Sequence, residues 1–159
     1  MLKPSKSLVP GTISVGSPIK IQDAIDPHVR YKVRMSEHPG IVVERRYNDF
    51  VWLADVLKAE NEDCLVPELP KKKAAGRFND DFIEIRRRAL EEFLNKIAEH
   101  LVLSQSPHFE TFLVAPEDSF YAAKVRTSSP WTSVGFGRPV RRVSTASAAA
   151  FVPRLRRYL

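Results

Sequence analysis

Between His28 and Glu37 the chain alternates: Val29, Tyr31, Val33 and Met35 fall on one side, and His28, Arg30, Lys32 and Arg34 on the other. A period of two marks a strand with one buried face. Upstream, GTISVGSP (11–18) predicts a short strand with Ile13 and Val15 on one face, and the stretch from Pro18 to Pro27 reads as a connection. Downstream, Pro39-Gly40 is turn chemistry, and IVVERRY (41–47) predicts a third strand, β-branched at its start. Three short strands with tight links imply an antiparallel meander packed through one face.

The rhythm changes after Tyr47. Phe50, Leu53, Val56 and Leu57 recur at helical spacing, with Asn48 or Asp49 placed to cap the helix. LVPELPKKKAAGRF (65–78) carries two prolines three apart, which favours an extended polyproline-II loop over helix or strand. Asn79-Asp80 opens the longest helix. In it Phe82, Ile85, Ala89, Phe93 and Ile97 step along one face, with Leu90, Leu94 and Leu101 beside them. SPHFETFLV (106–114) predicts a short closing helix, with Ser106 as cap, Pro107 at the first position and Phe109, Phe112 and Leu113 as anchors. Residues 1–10 read as a flexible leader. Beyond Pro116 the periodicity fades, and residues 116–159 read as a basic, mostly disordered tail. The expected class is α+β, with the ordered domain at 11–115.

Composition narrows the functional classes. With 43% hydrophobic and 28% charged residues the chain is an ordinary globular one. No apolar run approaches the roughly 18 residues of a membrane-spanning helix, and MLKPSKSLVP lacks the apolar stretch of a secretory signal. Any membrane contact is therefore expected to be peripheral. Cys64 is the single cysteine, so no internal disulfide can form, which fits a reducing, cytoplasmic location. Its thiol is expected to be half-buried and without a role. The four histidines show no metal-ligand spacing, and neither metal nor cofactor is expected. The net charge of +6 divides unevenly. Residues 1–115 hold 17 basic and 17 acidic side chains, and 116–159 hold 8 basic and 2 acidic ones. The expected folded part is neutral overall, which argues against nucleic acid as a partner. Basic clusters on a neutral background suggest a localised site.

Three clusters stand out: Arg45-Arg46-Tyr47 where the third strand meets a helix, Lys71-Lys72-Lys73 leaving the proline loop, and Arg86-Arg87-Arg88 in the long helix. A phosphorylated inositol accounts for such a set. A guanidinium can bond two phosphate oxygens at once. A phosphodiester suits the point charge of a lysine, and the apolar face of the sugar suits an aromatic ring such as Tyr47. A strand end, a proline-stiffened loop and a helix form a rigid frame, which lowers the ordering cost of gripping a small ligand.

RRYNDFVWL, then VPELPKK, then DFIEIRRRALEEFLNKIAEH, then a terminal FL resembles the Phox-homology (PX) domain of the sorting nexins over residues 11–115. RRYNDF matches that family's R-R-[YF]-x-[DE]-F signature. Pro67 to Lys72 matches its P-P-x-P-x-K loop, with Glu68 in place of the second proline. The resemblance implies a three-stranded antiparallel meander packed against a three- to four-helix subdomain, with the proline loop at the site. It implies a non-enzymatic module that binds phosphatidylinositol 3-phosphate on endosomal membranes and serves endosomal sorting, protein transport and vesicle trafficking, with trafficking-complex proteins as further partners. Carried over by motif, Arg46 binds the 3-phosphate, Tyr47 stacks under the ring and Asn48 adds a hydrogen bond to the 3-phosphate. Lys72 meets the 1-phosphate, and Arg86 bonds the 4- and 5-hydroxyls. Leu69, Lys71, Lys73 and Phe78 are the expected membrane contacts, with Ala74 and Ala75 as minor ones. The 73–78 loop is short and only weakly apolar, which implies shallow insertion. The long curvature-sensing helical domain that follows in many sorting nexins is not matched here.

Plainer roles fit the neighbouring residues. Arg45 is expected to point away from the ligand, and Asp49 and Phe50 to be a cap and a core residue. Three consecutive helical side chains spread over more than half a turn, so Arg87 and Arg88 are expected at the surface. Trp52 is expected to be half-buried and Tyr31 to lie in the sheet core. Arg141-Arg142-Val143-Ser144 has the look of a basic-directed kinase site, a pattern common by chance. No nucleophile–base motif, catalytic carboxylate pair or Walker loop is present, so no enzymatic activity is expected. The competing reading is a PX-fold protein-interaction domain with weak or nonspecific binding to anionic lipid.

Overall fold

The computed structural model describes residues 11–73 and 75–127. Three strands, β1 (Ile13–Ile21), β2 (His28–Met35) and β3 (His38–Arg46), form one antiparallel sheet in the order β1-β2-β3. Four helices follow: α1 (Tyr47–Glu60), α2 (Asp80–Glu99), α3 (Pro107–Val114) and α4 (Glu117–Thr127). The α+β architecture and the meander match the expectation; two local details do not. The β2–β3 turn lies at Ser36-Glu37, not at Pro39-Gly40, because Met35 pairs with His38. Pro39 then sits in an edge strand, where its missing N–H removes no ladder bond. β1 runs three residues beyond the expected end, through a bulge between Gly16 and Ile19 where Ser17 adopts φ 44°.

Alternation along the strands sends Ile13, Val15, Tyr31, Val33, Met35 and Val43 into the core, each at most 6% exposed. The outer edge of β1 is covered by α2 in place of a fourth strand. Asn95 Oδ1 accepts from Ile13 N at 2.9 Å and Asn95 Nδ2 donates to Ile13 O at 2.8 Å. Glu91 Oε2 accepts from Val15 N at 2.8 Å, and Arg87 Nη1 donates to Val15 O. These side chains satisfy backbone groups that would otherwise offer a pairing edge. Arg87, expected at the surface, is therefore half-buried and structural, while Arg88 stays exposed beside Glu84.

The buried face of α2 comprises Ile83, Arg86, Leu90, Phe93, Leu94 and Ile97. Ile85 and Leu101, expected on the core side, are 67% and 88% exposed. Apolar residues flank the stripe on both sides, and the position between Ile83 and Leu90 goes to an arginine, which an apolar pattern cannot assign. Asn79 caps α2 by accepting from Phe82 N at 3.2 Å, and Gly76 (φ 69°) allows the turn before it. Ser106 caps α3 as expected, accepting from His108 N at 3.2 Å.

Order does not fade at Pro116. Helix α4 continues to Thr127 and drives Phe120, 1% exposed, between Trp52 and Phe112 at centroid distances of 5.1 and 5.9 Å. Trp52, 6% exposed where half-burial was expected, donates from Nε1 to Thr127 Oγ1 at 2.8 Å. The expected boundary at 115 missed this helix because EDSFYAAKVRT has a single apolar anchor and no periodic stripe. The leader at 1–10 and the remainder of the tail, including Arg141 to Ser144, lie outside the described residues. Phe120→Ala is expected to destabilise the chain by about 3–5 kcal/mol, read as a lower urea midpoint with an unchanged slope.

Candidate functional site

The site grows from the end of β3. Alternation turns Arg45 inward and Arg46 outward. Arg45 is 1% exposed. Its Nε donates to Phe112 O at 3.0 Å, Nη1 to Glu44 O at 3.0 Å and Nη2 to Ala115 O at 2.5 Å. Its guanidinium lies 5.5 Å and 4.1 Å from the ring centroids of Phe112 and Phe120. Burial lowers its pKa to about 10, far enough above neutrality to keep it charged. The three carbonyls and two ring faces offset its desolvation. Arg45 thus has the structural role expected of it.

Helix α1 starts immediately after Arg46. Asp49, 5% exposed, reaches back so that its Oδ2 accepts from Arg46 N at 2.9 Å. It caps from inside the helix, in its first turn, and Lys124 of α4 balances its charge at 2.8 Å. The backbone at Arg46 is fixed on both sides, by the Arg45 clamp and by this cap.

Arg46, Tyr47, Asn48, Lys72 and Arg86 line one cavity of about 80 Å³. All five expected headgroup residues therefore meet. Arg86 is 7% exposed, and its guanidinium carbon sits 4.2 Å from the Tyr47 centroid and 4.4 Å from that of Phe82. Its Nη2 donates to Lys71 O at 3.2 Å, while its Nε is buried with no hydrogen-bond partner. Burial lowers the Arg86 pKa and raises those of Tyr31 and Tyr47. Tyr47 donates from its hydroxyl to Pro70 O at 2.5 Å, so ring and proline loop hold each other. Lys72 is exposed, and its ammonium has no ion-pair partner among the described residues. Arg46 pairs with Asp26, and its Nε is a second buried nitrogen with no hydrogen-bond partner. Buried donors without partners are uncommon in folded proteins, and two arginines in one cavity supply them.

The expected membrane contacts separate. Lys73 and Phe78 line the cavity, with Lys73 Nζ 4.7 Å from the Phe82 ring centroid. Lys71 is exposed but not part of the lining. Leu69 is half-buried and packs against the core, one residue before the Pro70 carbonyl that Tyr47 bonds. Ala74 lies outside the described residues, and Ala75 is exposed. Cys64 is half-buried against the core, as expected.

Sequence reasoning missed Asp26, His28, Tyr31 and Arg77, which also line the cavity, and Ile25, next to Asp26 in the chain and 94% exposed. Together the lining presents five cations (Arg46, Lys72, Lys73, Arg77, Arg86) and one carboxylate, Asp26.

The PX domain family model matches residues 33–116. Over 117 residues the chain is 40% identical to vacuolar protein sorting-associated protein vps5 of Schizosaccharomyces pombe, covering 69% of this chain and 20% of that protein. It is 40% identical over 116 residues to sorting nexin 1 of Arabidopsis thaliana, covering 68% and 29%. An X-ray structure of a designed CISK-PX domain superposes with a TM-score of 0.56 at 33% identity, covering 64% of this chain and 96% of that one. The chain belongs to the PX domain family, and its relatives include sorting nexins. It spans between a fifth and under a third of the length of those two relatives.

The adjacent arginines are expected to respond unequally to substitution. Arg45→Lys loses the fork that reaches three carbonyls and should cost about 2–4 kcal/mol of stability. Arg46→Ala removes a partly exposed ion pair and should cost less than about 1 kcal/mol. Urea titrations of the two variants check the contrast.

Proposed function

We propose that this domain binds phosphatidylinositol 3-phosphate and so recruits the chain to endosomal membranes, where it serves protein sorting and vesicle trafficking with other trafficking proteins. The observation that carries the reading is the meeting of Arg46, Lys72 and Arg86 in one small cavity, with buried guanidinium nitrogens on two of them left without partners. Unsatisfied donors favour an anionic, oxygen-rich ligand, because each is worth most when a charged acceptor completes it. The cavity of about 80 Å³ is smaller than a usual drug-sized pocket of roughly 300–1,000 Å³. A space of that size admits one charged group and part of a ring, with the remainder of the headgroup outside the mouth.

In this reading Arg46 takes the 3-phosphate, with Asn48 hydrogen-bonding beside it. Tyr47 packs on the apolar face of the inositol. Lys72, unpaired among the described residues, takes the 1-phosphate that joins sugar to lipid. Arg86 is fixed between two rings and by the Lys71 carbonyl, and it reads the 4- and 5-hydroxyls. A phosphate at either position would crowd a side chain that cannot retreat, which is selectivity by exclusion. Lys71, Lys73 and Arg77 add attraction to anionic lipid, each worth about 1 kcal/mol near the surface. Phe78 lines the cavity and Ile25, next to Asp26 in the chain, is 94% exposed, and in this reading both enter the interface.

Among the described residues no helix is long and apolar enough to cross a membrane, and membrane contact in this account is peripheral. Flotation with vesicles carrying each phosphoinositide in turn tests it. Binding is expected to select the 3-phosphate lipid, to fall at least about tenfold in Arg46→Ala and to weaken in Lys72→Ala. Ile25→Asp should weaken binding to vesicles but not to a soluble short-chain form of the lipid. Equal binding to every anionic lipid, untouched by Arg46→Ala, would favour a protein-interaction domain instead.

A further inference from the structure

Arg46, placed above against the 3-phosphate, already has a partner: its Nη1 donates to Asp26 Oδ2. Asp26 is exposed in the connection between β1 and β2, whereas Arg46 closes β3. To a guanidinium, a carboxylate and a phosphate are the same kind of acceptor. We propose that Asp26 is an internal counter-ion that competes with the headgroup for Arg46 and thereby sets how strongly the domain holds a membrane. The proposal rests on the headgroup reading of the pocket and adds to it a residue that opposes binding.

The loop is tethered so that this carboxylate stays in place. His28 Nδ1 lies 2.7 Å from Asp26 O. A carbonyl only accepts, so the proton is on Nδ1. Arg30 Nε only donates, so His28 Nε2 accepts from it, at 3.2 Å. Arg30 is anchored to Glu117 of α4 at 2.7 Å. A chain of polar contacts from the last described helix thus holds the backbone of Asp26 beside the end of β3. Asp26 is also the only carboxylate among the described residues that line the cavity.

Competition lowers the affinity of every anion by the fraction of Arg46 already engaged. The headgroups differ in what they gain by exchange. A phosphodiester or carboxylate replaces one negative charge at Arg46 with another. A phosphomonoester brings up to about two charges and three acceptor oxygens, and so displaces Asp26 with a net gain. Singly charged lipids are thereby left with little binding through Arg46.

The test compares Asp26→Asn with Asp23→Asn on phosphatidylcholine vesicles containing phosphatidylinositol 3-phosphate. Asp23 lies in the same loop, but its Oδ1 accepts from Ile25 N at 2.8 Å, a bond that asparagine can keep. Both variants lose the same charge near the same surface. Asp26→Asn is expected to tighten binding about three- to fivefold and Asp23→Asn less than twofold. Equal gains would reduce the effect to net charge and overturn the proposal. An unchanged or weaker Asp26→Asn would overturn it too, since Asp26 would then be inert or would position Arg46. Arg46→Ala, run in parallel, separates the two questions. Retained binding there sinks the pocket reading itself, whereas lost binding there with no gain in Asp26→Asn sinks only the counter-ion.

Discussion

One buried guanidinium fixes the geometry of this domain. Arg45 reaches from the core face of β3 to carbonyl oxygens at Phe112 and Ala115 and lies against the rings of Phe112 and Phe120. A single side chain thereby ties the sheet to α3 and α4. It also fixes where β3 stops and α1 starts. Because side chains alternate along a strand, anchoring Arg45 inward commits Arg46 to the opposite side. The site is in this sense a by-product of how the core is closed.

The same logic links the far end of the described chain to the pocket by two polar routes. Lys124 neutralises Asp49, which holds the Arg46 backbone. Glu117 holds Arg30, which bonds His28, which bonds the backbone of Asp26. Neither α4 residue lines the pocket. Both restrain residues that do, or their immediate supports, so α4 belongs to the site's scaffold as well as to the core. Such bracing suits a ligand with few atoms, because rigid walls lower the ordering cost on binding.

Much of this was legible in the sequence. The strict alternation of His28 to Met35 located the central strand, and Asn79 and Ser106 announced the starts of two helices. Arg46, Tyr47, Lys72 and Arg86 could be picked out because their spacing around prolines and aromatics is specific. What remained hidden followed from contacts at long sequence separation. α4 has one apolar anchor, and its stability comes from where Phe120 lands, which no local pattern encodes. Leu69 looks free in the sequence, yet it packs partly against the core beside the Tyr47–Pro70 bond. Arg87 looks like a solvated helix residue until an exposed strand edge appears beside it. Asp26 and Arg77 are charges in polar segments, and nothing in their neighbours marks them as pocket residues.

The central claim is that cations from three separate segments serve one ligand at once. Nuclear magnetic resonance of the arginine Nε–H groups, titrated with soluble short-chain phosphatidylinositol 3-phosphate, addresses it most directly. The Nε–H signals of Arg46 and Arg86, both without partners in the structure, should move together along one saturation curve. The Arg45 signal, already bonded to Phe112 O, should stay near its starting position. Binding that leaves Arg46 and Arg86 unmoved, or that moves them with different midpoints, would contradict the account.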